Sequence, residues 1–225
     1  MDDIIRYTQE RNQVYRFLAV VINTLPDKTF VNNLCQLSAD ALVLPAQQSG
    51  DERLATGMEQ VVKFCQDSQG GDKDAIAIAL AVDWTRLFRG VHPGYGPPPA
   101  RASAYRPYDL EQLTALYRAH GLKVQSPRFD PDYLGVQLAF MGRLVGEEER
   151  YRQQGRCGQT LAKLIGTQQL FLQEHLAWIP DFTAQAKLYA DLPFYPGVLT
   201  ILEGFLSVEH FWVEELIHCT EGGIT

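Results

Sequence analysis

Residues 90–107 read GVHPGYGPPPARASAYRP and lie between long segments whose apolar residues recur at helical spacing. The stretch holds five prolines and three glycines in 18 residues. No α-helix or central β-strand can run through such a composition. A loop this long within an otherwise compact helical chain usually has a function, since an idle connection would be shorter. The stretch therefore predicts a functional loop between two sets of helices.

The segment that leads into this loop, residues 83–90, reads DWTRLFRG. Trp84, Leu87 and Phe88 stand at i, i+3 and i+4 on the last turns of the preceding predicted helix, so they share one apolar face. Next to a long loop, this face has the layout of a surface that receives a peptide. Packing in the core is the alternative interpretation of such a stripe.

Helical spacing extends over the rest of the chain. Asp27 and Asp72 are placed to cap two of the helices before the loop, and Asp130-Pro131 is placed to begin one after it. This last helix would hold Asp132 and Tyr133 in its first turn. No strand alternation and no internal repeat is found. The pattern predicts a single all-α helical-bundle domain over residues 1–225, with about nine helices and the long proline-rich loop.

Composition and charge narrow the class of partner. The formal net charge of −7 argues against a broad surface for nucleic-acid phosphates and favours a cationic partner. The longest apolar runs, such as residues 75–82, are far shorter than the roughly 20 residues that span a bilayer. The opening Met1-Asp2-Asp3 has the wrong charge for an export signal. We therefore expect a cytoplasmic protein that is not an integral membrane protein.

No metal site, cofactor or catalytic centre is predicted. His210, Glu214 and His218 fall on one helix face and Glu215 begins an E-x-x-H motif, but a di-iron bundle needs a second such motif on another helix and the chain has none. No serine stands in a G-x-S-x-G motif. The cysteines are 30 or more residues apart without a C-x-x-C pair, so we expect reduced core thiols at Cys35, Cys65, Cys157 and Cys219.

Several motifs follow one another in a fixed order. DWTRLFRG at residues 83–90 is followed by a proline-rich loop ending in SAY at 103–105, by DPDYL at 130–134, and by EHLAWIP at 174–180. This order and spacing resemble the TorD/DmsD family of redox-enzyme maturation chaperones over roughly residues 80–215. The chain carries PARAS at residues 99–103 where that family usually has Pro-Pro-Tyr-Glu-Ser, and Tyr133 where it has histidine.

The resemblance implies a cytoplasmic, non-enzymatic chaperone without a bound cofactor. Its partner would be the twin-arginine signal peptide, and the precursor, of a molybdopterin oxidoreductase that is held back from export until its molybdenum cofactor is inserted. The resemblance also implies a peptide-binding site on one surface. Its residues are Trp84, Leu87, Phe88, Pro98, Pro99, Ser103, Tyr105, Asp132 and Tyr133.

Each type of residue in this set suits a peptide with arginine and apolar side chains. Trp84 and Phe88 would supply burial and cation–π contact, and an ionised Asp132 is the simplest partner of an arginine. Prolines stiffen the wall of a groove and reduce the ordering cost of binding. Ser103 would hydrogen-bond the peptide backbone or cap a turn. Tyr133 keeps a ring and a hydrogen-bonding tip, but it does not titrate near neutral pH as histidine does.

Two other functions stay open at this point. One is a helical-bundle enzyme with a carboxylate-bound metal, and the other is a scaffold that offers residues 97–99, PPP, as a polyproline ligand. The oligomeric state is open as well, because a long hinge-like loop is compatible with a monomer and with a domain-swapped dimer.

Overall fold

The computed structural model describes residues 2–36, 50–91, 94–122, 129–156 and 158–221, without the side chains of residues 2 and 218–221. Over these residues the fold is all-α, with nine α-helices, a single-turn 3₁₀-helix at Ala102–Ala104 and no strand, as the sequence predicts. In chain order the helices are α1 Asp2–Asn23, α2 Lys28–Cys35, α3 Glu52–Asp67, α4 Lys73–Phe88, α5 Leu110–Ala119, α6 Leu134–Gln153, α7 Gln159–His175, α8 Ile179–Tyr189 and α9 Phe194–Glu221.

The predicted helix caps before the loop are confirmed. The carboxylate of Asp27 accepts the backbone N–H of Phe30 at 2.7 Å, at the start of α2. Asp72 does the same for Asp74 at 2.9 Å, at the start of α4. Both residues satisfy donors that the first turn of a helix leaves unpaired.

The predicted start of α6 is wrong. The helix begins at Leu134, so Asp132 and Tyr133 precede it instead of lying in its first turn. The backbone N–H of Ala102 donates to the carbonyl of Asp132 at 3.1 Å, and Arg101 pairs with Tyr133 in an isolated antiparallel bridge. This pairing with a segment about 30 positions earlier holds the backbone out of the helical conformation.

Contacts divide the chain into two compact units. Unit 1 consists of Met1–Asn23, Arg101–Trp178 and Glu209–Thr225, and unit 2 of Thr24–Ala100 and Ile179–Val208. Helix α9 therefore contributes its first part to unit 2 and its last part to unit 1. The single domain over residues 1–225 stays a prediction.

Unit 1 has a charged cluster in its interior. Arg11 of α1 donates to both carboxylate oxygens of Glu209, at 2.7 and 2.8 Å, and to Glu148 of α6 at 2.9 Å. It also donates to the amide oxygen of Gln168 at 2.7 Å. All four side chains are buried. Although burial opposes its ionisation, Arg11 and Arg152 lower the pKa of Glu148, so this carboxylate is ionised beside the arginines.

Unit 2 contains a close contact between the backbones of two helices. A Cβ atom placed on Gly57 of α3 would lie 2.7 Å from the carbonyl oxygen of Gly197 and 2.7 Å from the backbone nitrogen of Ile201, both in α9. One on Gly204 would lie 2.8 Å from the backbone nitrogen of Leu54. Glycine therefore sets how closely α3 and α9 approach.

In the part of the chain that the structure describes, no helix has the length and apolar character needed to cross a membrane. The described thiols are those of Cys35 and Cys65, and both are free. Cys65 is buried as predicted, but Cys35 is only half-buried, so its placement in the core was wrong. The predictions for Cys157, and for the side chains of His218 and Cys219, fall outside the described residues.

Candidate functional site

Trp84, Leu87 and Phe88 occupy the last turn of α4, as the spacing predicts, but their side chains are buried, with exposed fractions of 2%, 0% and 0%. The ring of Phe88 lies 5.9 Å from that of Phe182 and 5.3 Å from that of Tyr195, edge to face. This face of α4 therefore belongs to the core of unit 2, and the exposed aromatic surface expected here is not found at these three positions. A role for them in peptide binding stays a prediction.

The proline-rich loop returns to the end of the same helix. The backbone N–H of Ala100 donates to the carbonyl of Phe88 at 3.1 Å. Gly90 has a φ of +70°, and a Cβ atom there would lie 2.8 Å from Cδ of Pro99, so only glycine fits at this turn. Pro98 is exposed and Pro99 half-buried. These two prolines form a stiff outer strip of unit 2.

The carboxylate of Asp83, next to these aromatic residues, also has a structural role. Asp83 is buried and accepts the backbone N–H groups of Asp191 and Leu192 at 3.0 and 3.1 Å. Burial raises the pKa of Asp83, and the two backbone hydrogen bonds oppose this. Asp83 thus fixes the connection before α9 and is not offered to a ligand.

Asp132, in unit 1, is a buried carboxylate with an unsatisfied oxygen. Its Oδ2 accepts the backbone N–H of Ser103 at 2.8 Å, so it holds the Ala102–Ala104 turn. Its Oδ1 is buried and has no hydrogen-bond partner among the described residues. Buried polar atoms are nearly always paired, so an exception such as this one requires an explanation.

Tyr133 faces the interior. Its hydroxyl donates to the carbonyl oxygen of Ile22 at 3.1 Å, and its ring stacks on that of Phe129 with a centroid distance of 4.5 Å. Only 4% of the residue is exposed. The residue that replaces the family's histidine therefore joins α1 to the start of α6.

A hydrogen-bonded chain supports the aromatic pair Tyr105 and Trp178, whose rings stack at 5.3 Å. Trp178 donates to Gln137 at 2.9 Å, and Gln137 donates to the hydroxyl of Tyr108 at 2.8 Å. That hydroxyl is also hydrogen-bonded to Nδ1 of His175, 2.5 Å away. Burial lowers the pKa of His175, which favours a neutral ring.

Sequence reasoning missed this supporting chain. His175 and Trp178 lie in the EHLAW segment that carries part of the family resemblance, but no site role was predicted for them. Gln137 shows no sequence signal, because its partners lie 29 and 41 positions away.

The structure thus gathers the predicted residues in two sets. Ser103, Tyr105, Asp132 and Tyr133 lie around one hydrogen-bonded turn in unit 1, and the other five lie at the end of α4 and in the loop of unit 2. Their convergence on one surface stays a prediction. Across the described residues, no group of three or more His, Cys, Asp and Glu side chains is arranged to hold a metal ion.

A family model described as nitrate reductase delta subunit matches residues 48–184, more than half of the chain. The chain belongs to this family. It is a family of NarJ/TorD-type chaperones, in agreement with the resemblance in the sequence, and membership implies a generally non-enzymatic chaperone that assists the maturation of a molybdoenzyme and binds a subunit of it. No curated protein and no solved structure matches the chain.

Proposed function

We propose that this chaperone binds the twin-arginine signal peptide of a molybdenum-cofactor oxidoreductase in the cytoplasm and retains the precursor until the cofactor is inserted. Family membership supports the client class. The observation in the structure that supports the site is the buried Oδ1 of Asp132, which has no partner among the described residues. An unsatisfied buried acceptor costs about 1–3 kcal/mol, and a donor from a ligand would recover that energy.

An arginine of the signal peptide suits this acceptor. A guanidinium group presents five N–H donors in a fixed planar arrangement, and its hydrogen bonds to a carboxylate are roughly twice as strong as neutral ones. Asp132 is covered by the Ala102–Ala104 turn, whose Ser103 is exposed. We expect this turn to shift on binding, so that the arginine reaches Asp132. The half-buried ring of Tyr105, backed by Trp178, offers the second arginine a cation–π contact.

The residues of unit 2 have a different part in the proposal. Pro98 and Pro99 form a stiff wall for the peptide, while Trp84, Leu87 and Phe88 lie buried in the core of unit 2, where the carbonyl of Phe88 holds the end of the loop through Ala100. A chaperone that must later release its client needs micromolar to nanomolar affinity, about 8–12 kcal/mol. One or two arginine contacts and an apolar contact are sufficient for that range.

Calorimetric titration tests the proposal with a synthetic twin-arginine signal peptide of a molybdopterin oxidoreductase. We expect Asp132→Asn to weaken an arginine-pair peptide by at least about tenfold, and a lysine-pair peptide by much less, because lysine cannot make the planar bidentate contact. The matched control is Asp130→Asn, an exposed carboxylate two residues away whose partner is Arg101. It should change the affinity less than about threefold.

Two outcomes would reject different parts of the proposal. Absence of binding between the wild-type protein and any twin-arginine signal peptide rejects the function. Equal affinity in the wild type and in Asp132→Asn, with helical content preserved by circular dichroism, keeps the function and rejects the assigned site.

A further inference from the structure

Helix α4 is apolar on two opposite faces. Residues 75–82 read AIAIALAV, without a single polar side chain. Leu80 and Trp84 face the core of unit 2, but Ile78 and Val82 on the other side are 67% and 52% exposed. A helix that is apolar all round is normally covered all round. The outer face of α4 therefore lacks the cover that its composition requires.

This outer face forms one wall of a groove of about 720 Å³. The groove is also lined by Val91, Gly94 and Tyr95 of the proline-rich loop and by Leu25. Of the ten large apolar or aromatic residues that are exposed in the described chain, four line this groove: Leu25, Ile78, Val82 and Tyr95. Single exposed apolar residues are normal on a protein surface, but a cluster marks a binding surface.

The polar side chains of α4 that line the groove are already satisfied within unit 2. The guanidinium of Arg86 pairs with Asp191 at 2.5 Å and donates to the carbonyl of Tyr189 at 3.2 Å. The hydroxyl of Thr85 donates to the carbonyl of Ala81 at 2.8 Å. Among the described residues that line it, the groove consequently offers no unpaired charge to a ligand. It matches an uncharged apolar segment and does not match a nucleic acid or a strongly charged peptide.

We propose that this groove receives the uncharged apolar stretch of the client's signal peptide, on the face of α4 opposite to Trp84. The inference rests on the proposed function, because a twin-arginine signal peptide supplies such a stretch next to its arginines. Ile78, Val82 and Thr85 stand at i, i+4 and i+7, which is the spacing that meets a ridge of apolar side chains on a bound peptide. The peptide covers the face of α4 that the chain itself leaves exposed.

The test is calorimetric titration of the full-length variants Val82→Glu and Ile78→Glu with two synthetic peptides. One is the complete signal peptide, and the other has its apolar stretch replaced by serine and asparagine while its arginines are kept. Each variant should weaken the complete peptide at least about tenfold, since a carboxylate would be desolvated in the apolar contact. Neither variant should further weaken the polar peptide.

The matched control is Val20→Glu, at a valine of α1 in unit 1 that is 59% exposed and does not line the groove. This variant should bind both peptides as the wild type does.

The outcomes separate this inference from the proposed function. If the wild type binds neither peptide, the proposed function fails and the inference with it. If the wild type binds the complete peptide and both glutamate variants bind it as tightly as Val20→Glu does, the function stands and the groove is overturned as its site. If Val82→Glu instead converts a dimer into a monomer without changing the affinity for the peptide, the groove joins two copies of this chain and the inference is overturned.

Discussion

The interiors of the two units are stabilised in different ways. Unit 1 buries the charged cluster of Arg11, Glu148 and Glu209, and Arg152 supplies a second cation beside Glu148. Unit 2 brings the backbones of α3 and α9 together at Gly57 and Gly204, where any side chain would collide with backbone atoms. The first arrangement depends on the presence of side chains, and the second depends on their absence.

Because of this difference, the two units should tolerate different substitutions. In a buried ionic cluster, removing one partner leaves the others charged in a medium of low dielectric constant. In a glycine contact there is nothing to remove, and the damage comes from adding a single carbon atom. Unit 1 should therefore be most sensitive to deletion of a charge, and unit 2 to addition of volume.

Replacement of Arg11 by methionine should have the largest effect on stability. The variant keeps an apolar stem but leaves Glu148 and Glu209 buried without their shared cation, which should cost roughly 3–5 kcal/mol of unfolding free energy. Denaturation in urea measures the change. Arg6→Met on the same helix is the control, because Arg6 is exposed and pairs only at the surface with Asp3 and Glu10, and it should cost no more than about 1 kcal/mol. Losses of similar size in the two variants would contradict the role of the cluster.

Replacement of Gly57 by alanine should have the next largest effect. The new Cβ atom would lie 2.7 Å from two backbone atoms of α9, so the helices must separate, at a cost of roughly 1–3 kcal/mol. Gly166, in α7 of unit 1, is the control, since a Cβ atom there meets nothing within 4 Å. Gly166→Ala should stabilise the protein by about 0.5–1 kcal/mol, because alanine is the better helix former. Shifts of the urea midpoint in the same direction for both variants would show that the α3–α9 contact yields to the added carbon.

The helices were predictable because they depend on local signals. Asp27 and Asp72 cap their helices through donors only two or three residues away. The start of α6 was not predictable in this way. Asp132 and Tyr133 carry a helix-start signal, but hydrogen bonds to residues 101–103, about 30 positions away, take precedence over it.

Burial in the candidate site also depends on distant residues. The stripe of Trp84 and Phe88 has the same spacing whether it lies at a surface or in a core, and its burial is decided by Phe182 and Tyr195, about 100 positions later. The run at residues 75–82 is visible in the sequence, but it indicates only that α4 is apolar. Which of its two faces the chain covers is a property of the tertiary structure.

Protonation of His175, a buried side chain of unit 1, should have a smaller effect on the free energy of unfolding. Burial lowers the pKa of His175, so between that lowered value and the ordinary value of about 6.5 the unfolded chain binds more protons than the folded one. The contribution of His175 to stability is therefore complete above about pH 6.5 and is lost as the pH falls through its folded pKa.

Unfolding free energies of the wild type and of His175→Gln, measured in urea between about pH 5.5 and 7.5, should differ by an amount that shrinks as the pH falls, because only the wild type carries this titration. Carboxylates that titrate in both proteins cancel in the difference. His210→Gln, at an exposed position of α9, should keep the wild-type dependence. If the wild-type and His175→Gln curves run parallel over this range, protonation of His175 is not coupled to the folding of unit 1, and its bond to Tyr108 persists in the charged ring.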